Sequence, residues 1–144
     1  MTNVYSRLGV VDIQTVRLAQ SSEFDRIIKP GKQAPAKAEY FGQKVKLFST
    51  GTRLKTFFKH GTKCSACGLE AKFYAVERPS HESGDFPYHL NLWGIDANGD
   101  EVLFTHDHTL ARSAGGADNI GNTTTMCSPC NFAKSLTENR GKSY

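Results

Sequence analysis

Two Cys-x2-Cys pairs, Cys64/Cys67 and Cys127/Cys130, constrain the fold of this chain more than any other feature. Each pair can turn two sulfurs toward one ion. Together they supply four thiolates, the closed tetrahedral donor set of a structural zinc site. Such a site would pull the upstream pair onto the downstream one and close a long loop of chain between them. Intracellular thiols are kept reduced, and the N-terminus lacks the apolar core of an export signal, so metal is favoured over disulfides. The blander reading makes the four cysteines small buried hydrophobes.

The downstream pair closes a dense stretch, Phe104 to Ser135. It holds His106-Asp107-His108, a Gly115-Gly116 turn, Asn122, the Cys127/Cys130 knuckle and, directly after it, Asn131. Hydrolysis of a phosphodiester needs an activated water and a cation to take charge from the phosphate and the departing 3′ oxygen. A carboxylate and an amide oxygen are hard donors suited to Mg²⁺ or Mn²⁺, and Asp107 and Asn131 offer one of each. An imidazole titrates near ~6.5 in water, so a histidine can accept a proton at neutral pH. Side chains alternate along a strand, so His106 and His108 are expected on one face with Asp107 opposite. Taken singly, an Asp-His pair reads as a solvated strand end and Asn131 as a helix cap; only the joint spacing argues for a site.

In that order the residues resemble the HNH nuclease family, in the variant whose last letter is Asn and with four-cysteine zinc knuckles. The resemblance runs from about Arg53 to Ser135 and is similar to small stand-alone phage proteins of the family. It implies a ββα-metal (His-Me finger) core and DNA endonuclease activity. Carried onto matching positions, Asp107 resembles the metal-ligating Asp, His108 the general base, Asn131 the second ligand, and Asn122 the middle letter that pins the loop. Zn²⁺ would be structural at Cys64, Cys67, Cys127 and Cys130, and Mg²⁺ or Mn²⁺ catalytic. Ala111 departs from the pattern, since many members carry Pro three residues after the His.

At 144 residues the chain is about one domain, with 38% hydrophobic and 22% charged residues, ordinary for a soluble protein. No apolar run approaches the roughly 20 residues that span a bilayer, so an intracellular, cytoplasmic protein without membrane contact is expected. The net charge of +4 hides an asymmetry. Met1 to Lys63 carry twelve Lys or Arg against four Asp or Glu, and the remainder six against ten, giving +8 and −4. A basic half beside a mildly acidic, metal-holding half suits a phosphate-backbone binder, double-stranded DNA by the resemblance. Lys29, Lys32 and Lys37 lie in the extended basic stretch KPGKQAPAK, either a linker or an arm along a backbone. Arg112 and Lys134 flank the expected cation and are further candidate phosphate contacts.

The expected architecture is α+β, with a basic N-terminal extension over residues 1–52 and a nuclease domain over 53–144. Alternation suggests a strand across Val11 to Leu18, a helical turn or two over Phe24 to Ile28, and a strand over Tyr40 to Phe48. Arg53 to Lys59 reads as a helix capped by Thr50 or Thr52 and ended by Gly61. Lys72 to Glu77 reads as a strand. Tyr88 to Ile95 and Glu101 to Thr105 form a hairpin across Asn98-Gly99, as a two-residue turn would favour. That hairpin leads into His106-Asp107-His108. The rival reading is a non-catalytic zinc-knuckle module that binds nucleic acid or a protein; an RNA-directed nuclease is the third.

Overall fold

A computed structural model describes residues 4–28, 36–48, 52–108 and 122–139. It is an α+β structure built on a five-stranded antiparallel sheet. In chain order the elements are β1 (Tyr5–Val11), α1 (Ile13–Ile28), β2 (Lys37–Tyr40), β3 (Gln43–Lys46), α2 (Arg53–His60), β4 (Ala71–Pro79), β5 (His89–Ile95), β6 (Glu101–His108), β7 (Thr123–Cys127) and α3 (Ser128–Asn139). The sheet order is β1-β4-β5-β6-β7, and β2-β3 form a separate hairpin.

The segment Val11 to Leu18, expected as a strand, ends β1 and begins α1 instead. The switch is made by Asp12, whose Oδ2 accepts the N–H groups of Gln14 at 3.0 Å and Thr15 at 3.2 Å. Those are two of the donors that a helix start leaves without partners, and a side-chain cap of this kind is worth ~1 kcal/mol. One helical turn apart, Val16 and Gln20 are then both fully buried. The expected strand Tyr40 to Phe48 is likewise broken by a turn. Phe41 and Gly42 both take positive φ, 54° and 76°, the two-residue hairpin turn that matches strand twist. Conversely, the Asp96 hairpin is longer than a two-residue turn. Ile95 pairs with Glu101, and the Asp96 carboxylate accepts the N–H groups of Asn98 and Asp100 across a five-residue connection.

One face of the sheet carries the main core, with Tyr74, Val76, Leu90, Leu92 and Phe104 buried against Val16, Val45, Leu54 and Phe57. Residues on both sides of position 52 thus share a single core. Burial of each large side chain contributes on the order of 1.5–3 kcal/mol. Gly94 matters to the site because a Cβ there would meet the Phe104 ring at 2.7 Å. Its absence lets β6 lie close against β5. On the other face Glu77, 2% exposed, is satisfied by Arg7 Nε at 2.7 Å, Asn91 Nδ2 at 3.0 Å and Trp93 Nε1 at 2.8 Å. Arg7 also reaches Glu101, which joins β1 to the start of β6.

The β6-β7 pair is held between two helices. From one side α2 touches it, with the Thr56 and Thr123 hydroxyls 2.6 Å apart. From the other, α3 packs on β6 and β7, and Ser128 Oγ donates to the Leu103 carbonyl at 2.9 Å. Two antiparallel strands followed by a helix that folds back on them therefore carry the stretch with the expected chemistry.

Candidate active site

The sulfur cluster sits where β7 passes into α3. Sγ atoms of Cys64, Cys67, Cys127 and Cys130 all lie within 4.8 Å of one another, and none is in a disulfide. Cys67 and Cys127 Sγ are 3.8 Å apart. A tetrahedron of sulfurs around an ion at ~2.3 Å has edges of ~3.8 Å, so the spacing fits a four-thiolate metal site. The upstream knuckle is braced on its own backbone, with Gly68 N–H donating to the Cys64 carbonyl at 3.0 Å. It is tied to β7 by Ser65 N–H donating to the Thr125 carbonyl at 2.9 Å. Burial pushes the Cys64 thiol up, but N–H donors from Cys127, Cys67 and Ala66 outweigh it and bring the group down to about 6. Burial, together with the neighbouring thiols, pushes Cys127 and Cys130 up. A divalent cation among four such sulfurs removes that mutual resistance to ionisation. An apolar hollow lined by Leu69, Val102 and Pro129 lies beside these sulfurs, not beside Asp107.

The second cluster lies one residue further along α3. Strand alternation and pairing divide the end of β6 as expected. His106 and His108 share the side that faces Thr125 and Thr123, their ring centroids 5.7 Å apart. Asp107 is on the α3 side, where Lys134 Nζ forms an ion pair with its carboxylate and also donates to the His108 carbonyl at 3.0 Å. Asn131, three residues before Lys134 and so on the same helix face, donates its Nδ2 to Thr105 Oγ1 at 2.8 Å and to the His106 carbonyl at 3.4 Å. That commits the amide nitrogen to β6 and leaves the amide oxygen as the available donor. Asp107 and Asn131 thus offer a carboxylate and an amide oxygen from facing elements, a donor set that fits a hard divalent cation. Asn122 directly precedes Thr123, the residue paired with His108, which puts it at the mouth of the same strand pair.

Lys37 is exposed on β2, in the hairpin separate from the five-stranded sheet. Lys29, Lys32, Arg112, Gly115 and Gly116 lie outside the described residues. Two features were not read from the sequence. Thr105, whose hydroxyl donates to the Met126 carbonyl and accepts from Asn131, is the bracket that sets the Asn131 amide. Lys134 was singled out as a phosphate contact, yet here its ammonium holds Asp107; spacing of three from Asn131 was the available signal.

Residues 96–136 match the HNH endonuclease family. The match spans the end of the β5-β6 hairpin, β6, β7 and most of α3, and so contains the oxygen cluster, both histidines and the downstream knuckle. It supports a ββα-metal fold for the β6-β7-α3 unit, and points to a nuclease that uses a divalent metal and binds nucleic acid. The upstream knuckle and the first seven elements, β1 through β5, lie outside the matched segment. No curated protein and no solved structure matches the chain. No helix among the described residues is long and apolar enough to cross a membrane.

Proposed function

We propose that the protein is a metal-dependent DNA endonuclease, with Asp107 and Asn131 as ligands of a catalytic Mg²⁺ or Mn²⁺ and His108 as general base. The carrying observation is that Asp107, paired with Lys134, and the Asn131 amide, anchored on Thr105, lie on facing sides of β6 and α3, with His108 next in sequence to Asp107, inside the segment that matches the family. When bound, the cation supplies Lewis-acid charge to the phosphate and to the departing 3′ oxygen. His108 takes a proton from the attacking water. Asn122, at the mouth of β7, restrains the chain beside His108. Thr105 and the His106 carbonyl hold the Asn131 amide with its oxygen outward. Lys134 neutralises Asp107 while no cation is there, then turns to the phosphate, the role also given to Arg112.

The four cysteines hold Zn²⁺, which staples the upstream knuckle onto the β7-α3 junction. That ion is structural, because four thiolates complete its shell and leave no position for water. The N-terminal lysines Lys29, Lys32 and Lys37 contribute sequence-independent contacts to the backbone. The experiment is cleavage of supercoiled plasmid and of an RNA of mixed sequence with Mg²⁺ or Mn²⁺, wild type beside His108→Ala. Wild type should nick or linearise the plasmid and His108→Ala should not. If RNA is cut and DNA is not, the substrate is RNA; if neither is cut with either metal, the chain is a zinc-knuckle binding module.

A further inference from the structure

Strands β5 and β6 pair only over Trp93–Ile95 and Leu103–Glu101, after which β6 leaves β5 to pair with β7 as far as His108. Continuing the register, Leu90 stands level with His106 across the gap where the strands part. The Leu90 carbonyl, freed there from the ladder, accepts Arg53 Nη2 at 3.1 Å. Arg53 opens α2, the helix that touches β6 and β7 on the same side of the sheet as His106 and His108. Its guanidinium is therefore set into the sheet face beside the strand that bears the proposed base.

Other cations lie on the elements that pack against β5. β3 packs against β5, and Lys46, its last residue, lies directly opposite Lys37 of β2. Like charges facing each other across a strand pair are destabilising, and the hairpin's one acid, Glu39, faces Lys44 instead. His89, half-buried at the start of β5, is held below its usual range by burial and then by the charges of Arg53 and Lys46. Among the described residues no carboxylate pairs with Lys37, Lys46, Arg53 or His89. Elsewhere the fold does compensate its cations: Arg7 has Glu77 and Glu101, and Lys134 has Asp107. An inset guanidinium and a facing lysine pair left without an acid favour a polyanion that supplies the missing charge from outside.

We propose that Lys37, Lys46, Arg53 and His89 form a second phosphate-binding subsite, which takes the sugar-phosphate backbone of the nucleic acid away from the scissile bond, on the His108 side of the sheet. The proposal rests on the nuclease reading and adds to it the track along which the substrate lies. Arg53 gives the planar fork suited to a phosphate, the lysines act as point charges, and His89 offers a ring N–H.

The test is the salt dependence of binding to a 20-base-pair DNA duplex of mixed sequence, in a His108→Ala background that leaves the duplex intact. Each neutralised phosphate contributes about −0.9 to the log-log slope. Lys37→Gln with Lys46→Gln should make the slope shallower by up to about 1.8, with zinc content and melting temperature retained. Arg53→Gln should remove about a further 0.9; if that variant does not fold, the lysine pair alone decides. An unchanged slope in the folded lysine double variant overturns the subsite, and the nuclease reading stands as long as the His108-bearing protein cuts plasmid. A protein with intact His108 that neither binds nor cuts DNA or RNA overturns both.

Discussion

The sulfur cluster and the oxygen cluster meet at neighbouring residues of one helix, Cys130 and Asn131, and are built in opposite ways. The sulfur cluster has four donors of one kind within 4.8 Å, drawn from two distant parts of the chain and braced by backbone hydrogen bonds. Four thiolates are a complete tetrahedral set for one ion. The oxygen cluster has two hard donors, one of them paired with Lys134, and two histidines on the far side of the strand. It is incomplete by construction, and an incomplete shell is what water and phosphate can fill. The contrast teaches that one turn of α3 serves both clusters, with Cys130 turned to the sulfurs and Asn131 to β6.

If that division holds, substitutions in the two clusters must fail in different ways. The largest effect is expected from Cys127→Ser. Structural zinc binding is folding free energy on the order of 10 kcal/mol, so this variant should lose its zinc and the ordered β7-α3 junction, as read by metal analysis and circular dichroism. His108→Ala should next cut plasmid cleavage by ~10²- to 10⁴-fold at saturating Mg²⁺ while melting like wild type. Thr105→Val leaves the Asn131 amide without its bracket, and supporting groups of this kind are worth about 10- to 100-fold in metal affinity. Its Mn²⁺ dissociation constant, measured by titration without nucleic acid, should rise by that factor with zinc retained. The smallest effect is at Lys134. Removing an ammonium that competes for Asp107 should tighten Mn²⁺ binding in Lys134→Met by no more than about fivefold, the scale of a partly exposed ion pair, while cleavage falls. Weaker Mn²⁺ binding in Lys134→Met would mean that the lysine supports the cation site and does not compete for it.

How much of this the sequence disclosed depends on whether the signal was local. The knuckles were legible because Cys-x2-Cys spacing is itself the geometry of chelation. Helix α2 was legible because Leu54 and Phe57 recur at helical spacing, and the opposite faces of Asp107 and His108 follow from strand alternation. Val11 to Leu18 misled because its alternation mimics a strand, while the deciding interaction, the Asp12 cap, is a single side chain. The β2-β3 turn was hidden because Phe41 is an unusual residue at positive φ. Tertiary choices left no local mark at all. Nothing near Arg7 announces that it joins Glu77 and Glu101, seventy and ninety-four residues away. The pairing of Lys134 with Asp107 and of Arg53 with the Leu90 carbonyl arises only when α3 and α2 dock on the two sides of β6.

The most direct test of two clusters with separate tasks is to measure zinc content and plasmid cleavage on the same preparation of Asp107→Ala. One equivalent of zinc with wild-type melting, and cleavage lost at Mg²⁺ concentrations that saturate wild type, is the expected result. Zinc lost together with cleavage, or cleavage retained at the wild-type rate, would contradict it.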